Sequence, residues 1–197
     1  IKKRDTAVGI LVDVSGSTAE KCDGDEPILD IEKRSALILG EGLSVVGDRF
    51  ALYGFTGNGR QNSEFYIFKE FDDEWNNETK QVLYGAHPGS STRMGVAVRH
   101  AGRKLSECPA RKKILIVITD GKPMDSGYDA ATRYAQHDVR KANEENQLLG
   151  INSFCISTEE NKMEDLDIMF PRGRYVIIKH LNELSQALSK LYIGITK

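Results

Sequence analysis

The stretch GILVDVSGST, residues 9–18, places one carboxylate and two hydroxyls at alternating positions. Asp13, Ser15 and Ser17 form the pattern Asp-x-Ser-x-Ser directly after an apolar run. Alternate residues of an extended segment point to the same side, so the three side chains can converge beyond the end of a strand. Oxygen donors of this kind suit a hard divalent cation. We therefore predict a metal site at this turn.

The same residues also have a purely structural interpretation. Asp and Ser after a strand often cap the first turn of a helix by accepting hydrogen bonds from its free amide groups. Gly16 is expected to let the backbone turn tightly between the two serines. These ten residues alone leave both interpretations open, and the rest of the chain has to decide between them.

Length and composition indicate one globular domain spanning residues 1–197. The chain is 40% hydrophobic and 28% charged, and its net charge is -2. This balance gives no reason to expect a nucleic acid or an anionic membrane as partner. The sequence contains no apolar run of the roughly 18 residues that a membrane span requires. The chain does not begin with Met, and we expect it to be part of a longer protein.

Cysteine and histidine usage argues against a disulfide framework and against a zinc site. The three cysteines, Cys22, Cys108 and Cys155, are odd in number and lack metal-ligand spacing. The four histidines show neither H-x-x-x-H nor H-E-x-x-H spacing. We therefore expect a reducing, cytoplasmic environment.

Strand and helix patterns alternate along the chain. Apolar or alternating runs predict strands at Ala7–Val12, Arg49–Thr56, Glu64–Phe71, Lys113–Thr119, Ile151–Ser157 and Arg174–Ile178. Helical spacing predicts helices at Ile31–Val46, Asp73–Tyr84, Thr92–Ser106, Tyr128–Leu149, Met163–Phe170 and Leu181–Tyr192. The order predicts an α/β fold, a doubly wound and mainly parallel six-stranded sheet with helices on both faces. The second and third strands, joined by a short Gly/Asn loop, predict a hairpin and thus one antiparallel edge strand.

Two further segments could contribute to the site that begins with Asp13. The fourth strand runs into Asp120-Gly121, so it also ends in a carboxylate. Thr92 opens a helix, where it could be a cap or a ligand; the Arg99, Arg103 and Lys104 face of that helix is expected to be solvated. Ligands of open α/β sheets lie beyond the carboxyl ends of the strands. Asp13 and Asp120 can share a site only if their strands are neighbours.

Taken together, the three segments resemble the metal-ion-dependent adhesion site of von Willebrand factor A domains. The resemblance rests on Asp13-x-Ser15-x-Ser17, Thr92 and Asp120-Gly121, in that order and on those elements. It implies that these five side chains hold Mg²⁺, with Mn²⁺ or Ca²⁺ as alternatives, directly or through water. It further implies that a carboxylate from another protein replaces one water on the ion.

A narrower resemblance concerns the stretches ILDIEKRSALILGE, GDRFALYGFTGNGR, TRMGVAVRHA and ITDGKPMD. They are similar to the carboxy-terminal A domain of an adaptor family that includes the nitric-oxide-reductase activation protein and a rubisco-activase adaptor. The resemblance implies a cytoplasmic, non-catalytic domain that works with a hexameric AAA+ ATPase. The target, a rubisco or a nitric oxide reductase-type complex, would present an Asp or Glu to the metal.

Three other functions remain as alternatives. Asp13 could be a phosphoryl-accepting nucleophile beside magnesium, but such sites usually have a second acid two residues later, where this chain has Ser15. Neither a G-x-x-x-x-G-K-[ST] loop nor a G-x-S-x-G elbow is present, so we predict no enzymatic activity. The remaining two are an adhesion or ligand-binding A domain and the A domain of a metal-chelatase subunit.

Overall fold

The fold is an open sheet of six strands between helices. A computed structural model describes residues 5–21, 26–121, 123–125, 128, 132–158, 163–178 and 183–184. The strands are β1 Thr6–Asp13, β2 Arg49–Gly57, β3 Ser63–Lys69, β4 Lys112–Thr119, β5 Ile151–Ser157 and β6 Tyr175–Ile177. The helices are α1 Ile28–Val46, α2 Asn77–Tyr84, α3 Met94–Glu107, α4 Tyr134–Leu148 and α5 Met163–Met169, with a short 3-10 helix at Gly16–Ala19.

The strand order is β3-β2-β1-β4-β5-β6, and this order places the two acidic strand ends side by side. β1 pairs in parallel with both β2 and β4, and in the β4 pairing Val12 lies opposite Ile118. β3 pairs antiparallel with β2, and the remaining neighbours are parallel. The predicted doubly wound sheet with one antiparallel edge strand is confirmed.

Alternation along the central strands fills two separate apolar layers. On β1, Val8 and Ile10 point to the layer covered by α1 and α2, whereas Ala7 and Leu11 point to the layer covered by α3, α4 and α5. Strands that are buried on both faces have nearly continuous apolar sequences, and β1 and β4 both have such sequences. No helix in the described ranges is long and apolar enough to cross a membrane.

Several element ends differ from the sequence predictions for local reasons. α1 begins three residues earlier than predicted, at Ile28, with Pro27 as its N-cap residue. α2 begins at Asn77, where Asn76 and Thr79 form a reciprocal cap. α4 begins at Tyr134 rather than Tyr128. The predicted last helix, 181–192, lies outside the described residues apart from 183–184.

The basic face predicted for α3 is only partly solvated. Arg99 forms ion pairs with Asp138 and Glu145 of α4, at 2.8 and 2.7 Å. A Cβ at Gly95 would collide with Asp138, so the glycine lets α4 lie close to α3. The sequence did not reveal this contact because the face is charged, and charge normally indicates exposure.

Candidate metal centre

Two buried carboxylates lie at the same edge of the sheet. Asp13 ends β1 and Asp120 directly follows β4, and both residues are 0% exposed. Because β1 and β4 are parallel neighbours, their carboxyl ends share one edge, as the sequence argument required. Two acids so close together and so well buried need a compensating positive charge if both are to be ionised.

Asp13 is held in place through both of its carboxylate oxygens. The Ser15 amide donates to Oδ1 at 2.9 Å, and the Thr119 hydroxyl donates to Oδ2 at 2.8 Å. Thr119 in turn accepts a hydrogen bond from the Gly121 amide at 3.1 Å. Sequence reasoning missed Thr119, which resembles the last residue of an apolar strand and is placed beside Asp13 only by the register of β1 and β4.

The environment of Asp13 disfavours its charged form. Burial, with a further contribution from the charge of Asp120, raises the pKa of Asp13 from 3.8 to about 7, against the opposing hydrogen bonds from Ser15 and Thr119. A divalent cation bound beside the two carboxylates would stabilise their charged forms and so oppose this shift. The pair therefore has the electrostatics of a cation site.

The two serines bring their hydroxyls together beside Asp13. Ser15 Oγ and Ser17 Oγ lie 3.2 Å apart, with Ser15 buried and Ser17 half-buried. The Thr18 hydroxyl donates to the Ser15 carbonyl at 2.6 Å and stabilises the 3-10 turn. Ser15 occupies the N-cap position of this short helix but makes no side-chain cap hydrogen bond. The purely structural interpretation of the motif therefore fails for Ser15.

Gly16 is required for a reason other than the predicted tight turn. Its φ is not positive, but a Cβ there would lie 3.0 Å from the Ser90 carbonyl oxygen and 3.1 Å from that of Gly89. The Gly16 amide donates to the Ser90 carbonyl at 2.5 Å, and the Gly89 amide donates to the Val14 carbonyl at 2.6 Å. The glycine thus lets the loop that carries Ser15 and Ser17 lie directly against the loop that leads to Thr92.

A backbone hydrogen bond connects Thr92 to the loop that follows Asp120, at the same edge of the sheet. It is 2% exposed, and its amide donates to the Met124 carbonyl at 2.7 Å, in the loop after Asp120. The prediction that Thr92 begins the helix is wrong, because α3 begins at Met94 with Arg93 as its N-cap residue. Thr92 is therefore not the helix cap, which leaves its hydroxyl available for another role.

The donor set suits a hard divalent cation. Two carboxylates and three hydroxyls are all-oxygen donors, as Mg²⁺ and Mn²⁺ prefer. Among the described residues no group of three or more His, Cys, Asp or Glu could hold a metal ion. Cys108 and Cys155 are free and buried, whereas Cys22 lies outside the described residues.

Comparison with known protein families identifies the domain. The family model for the von Willebrand factor type A domain matches residues 8–190. The chain belongs to this family. Protein NorD from Brucella suis is 37% identical to this A domain over 188 residues, which cover 95% of the chain and 29% of the relative. Protein NorD from Stutzerimonas stutzeri is 38% identical over 178 residues, covering 90% and 29%. The A domain thus spans less than a third of the length of these relatives.

Solved structures share the fold of this A domain at low sequence identity. The PilB minor pilin from Streptococcus sanguinis matches with a TM-score of 0.76 and 16% identity, over 99% of this chain and 62% of the pilin. A von Willebrand factor type A protein from Catenulispora acidiphila matches with a TM-score of 0.63 and 20% identity, over 95% and 42%. At these identities the likeness shows the fold alone.

Proposed function

We propose that the A domain is a protein-interaction module that uses a divalent metal ion to bind a carboxylate of a partner protein. Asp13, Ser15, Ser17, Thr92 and Asp120 would hold the ion, most favourably Mg²⁺, with Mn²⁺ or Ca²⁺ as alternatives. The observation that carries the proposal is the pair of fully buried aspartates on adjacent strand ends, with the two serine hydroxyls beside them.

The charge of the donor set explains why a carboxylate is the expected ligand. Two aspartates supply two negative charges, which only neutralise a divalent ion, and the hydroxyls add none. The ion therefore remains Lewis-acidic and can accept a further carboxylate ligand. Magnesium usually keeps several waters in its octahedral shell, and an acidic side chain from outside can replace one of them. The carboxyl edge of the sheet is where a protruding side chain can reach the ion.

The domain is proposed to bind its partner without chemical change. His100 lies on the helix that follows Thr92, but its ring packs edge-on against Phe65 with 4.5 Å between ring centres, which gives it a packing role. The family consists of protein-interaction domains, and the sequence motifs of phosphate-binding loops and hydrolase elbows are absent. Both Asp13 oxygens accept hydrogen bonds, from the Ser15 amide and the Thr119 hydroxyl, which supports a fixed ligand over a nucleophile.

The named relatives support a choice among the possible partners. The match to Protein NorD supports an adaptor of the nitric-oxide-reductase activation type over an adhesion or chelatase domain. We propose a cytoplasmic adaptor in which this A domain engages the target enzyme while a hexameric AAA+ ATPase supplies force. A nitric oxide reductase-type complex is the preferred target, with rubisco as the alternative.

The proposal is tested with the full-length protein that contains this domain, the proposed AAA+ ATPase partner and the candidate target. Co-purification of the target is measured with Mg²⁺, with EDTA, and with Ser15→Ala in Mg²⁺. We expect EDTA and Ser15→Ala each to abolish target binding, because each removes the ion or its coordination. The matched control is Ser106→Ala, at the far end of α3, which should bind as the wild type does. Undiminished binding in EDTA and in Ser15→Ala would reject the metal mechanism.

A further inference from the structure

A buried ion pair joins the loop of Thr92 to the loop of Asp120. Arg93 directly follows Thr92, and Asp125 lies five residues after Asp120. Arg93 Nη1 lies 3.2 Å from Asp125 Oδ2, and the two side chains are 8% and 0% exposed. The pair therefore bridges the two segments that carry the third hydroxyl and the second carboxylate of the proposed metal site.

The same pair is connected to a third loop at this edge. Asp125 Oδ1 accepts a hydrogen bond of 2.7 Å from the Gly59 amide, in the β2–β3 hairpin loop. The Arg93 guanidinium lies over the Tyr128 ring, 4.9 Å from its centre, and the Tyr128 hydroxyl donates to Asp138 of α4 at 3.2 Å. The Arg93–Asp125 pair thus fixes the relative position of several elements around the site.

Stability alone does not explain this arrangement. Removing two charges from water costs several kcal/mol per ion, so buried pairs often contribute little net stability. Arg93 Nε is buried without a hydrogen-bond partner among the described residues, which adds to the cost of burial. The Arg93–Asp125 pair is therefore better explained by its structural effect, which is to hold the two loops of the proposed metal site in a fixed relative position. Residues that orient metal ligands typically change metal affinity by ~10–100-fold when they are mutated.

We propose that Arg93 and Asp125 are positioning residues of the metal site, which set its affinity by holding the Thr92 loop against the Asp120 loop. This inference rests on the proposed function, since it presupposes that the site binds a divalent ion. It assigns no contact between either residue and the ion. Their effect is on the placement of Thr92 and Asp120.

Opposite charge changes separate positioning from simple electrostatics. Mn²⁺ is the probe, and its dissociation constant is measured by electron paramagnetic resonance for the wild-type chain, Arg93→Met and Asp125→Asn. Long-range electrostatics alone predicts tighter Mn²⁺ binding after Arg93→Met, which removes a positive charge, and weaker binding after Asp125→Asn. Positioning predicts that both variants weaken Mn²⁺ binding by roughly tenfold or more. The Asn side chain can still accept from Gly59, so Asp125→Asn tests the ion pair itself.

Glu145→Gln is the matched control. It removes the charge of an acid that pairs with Arg99, and Arg99 lies on α3, the helix for which Arg93 is the N-cap residue. The substitution does not change the loops of the proposed metal site. It should leave the Mn²⁺ dissociation constant within about twofold of wild type, whereas Arg93→Lys, which keeps the charge, should fall between wild type and Arg93→Met. Melting temperatures in EDTA show whether each variant is folded. Folded Arg93→Met or Arg93→Lys with wild-type Mn²⁺ affinity, or Arg93→Met with tighter binding, would overturn the positioning role alone. Absence of Mn²⁺ binding by the wild-type chain would overturn the proposed function as well.

Discussion

At the scale of single residues, the Asp13 carboxylate is in an environment that disfavours its charge. It is fully buried, it lies beside the charge of Asp120, and its pKa is raised to about 7. The Ser15 amide and the Thr119 hydroxyl orient it but do not offset this effect. A divalent ion would stabilise the charged form, so stability, pH and metal binding should be coupled through this one carboxylate.

The free energy of unfolding in EDTA should depend on pH through Asp13. Its folded pKa of about 7 lies above the ordinary value of 3.8, so the fold favours the protonated form. The stabilisation that protonated Asp13 gives the folded state is complete below pH 3.8, declines as the pH rises, and is lost above about 7. Urea denaturation at pH 5 and pH 8 should therefore show a larger loss of stability for wild type than for Asp13→Asn. Saturating Mg²⁺ at pH 8 should restore stability to wild type only.

Equal pH dependence of wild type and Asp13→Asn in EDTA would show that Asp13 is ionised without penalty in the fold. The comparison between the two proteins is necessary because titratable groups remote from the site contribute equally to both, so the difference reports Asp13 together with the Asp120 carboxylate that interacts with it. Asp13→Asn keeps the size of the side chain, so a difference between the proteins reports the charge.

At the scale of elements, close contact between loops decides whether the site residues meet. Residue type and spacing are sufficient to predict the five candidate site residues, but they do not show how the loops that carry them contact each other. Gly16 was expected to serve a turn, whereas the structure shows that it serves the approach of Ser90. Thr119 and the Arg93–Asp125 pair were missed for the same reason, since each acts across a contact between segments far apart in the chain. Local sequence patterns do not show contacts between segments that are far apart in the chain.

Gly16→Ala should weaken metal binding. The added Cβ would lie 3.0 Å from the Ser90 carbonyl oxygen, so the backbone of one loop must shift by a few tenths of an ångström. We expect the Mn²⁺ dissociation constant to rise by about tenfold, since a displaced loop misplaces its ligands. Isothermal titration of Mn²⁺ into the two proteins measures the change.

The control for Gly16→Ala is Gly42→Ala, on the exposed side of α1, where a Cβ would meet nothing within 4 Å. Alanine is favoured over glycine in a helix interior by roughly 0.5–1 kcal/mol, so Gly42→Ala should raise the melting temperature and leave Mn²⁺ affinity unchanged. Unchanged affinity in Gly16→Ala would show that the contact with Ser90 does not shape the site.

At the scale of the whole molecule, the strand order creates the site. The alternation of strands and helices was sufficient to predict a doubly wound sheet, and an antiparallel edge strand followed from the Gly/Asn hairpin loop. The sequence could state only a condition for the site, namely that the strands ending at Asp13 and Asp120 be neighbours. The order β2-β1-β4 meets it. Apolar runs indicate that β1 and β4 are buried, but every buried strand has such a run, so the pattern does not show which strands are neighbours.

The most direct test of the metal site is anomalous diffraction from crystals of the wild-type chain soaked with Mn²⁺. We predict one strong anomalous peak at the carboxyl edge of the sheet, with the Ser15 and Ser17 hydroxyl oxygens ~2 Å from the ion. Thr92, Asp13 and Asp120 should complete its surroundings directly or through ordered water. Absence of the peak at saturating Mn²⁺, or a peak that none of these five side chains approaches, would contradict the proposal that they bind a divalent ion.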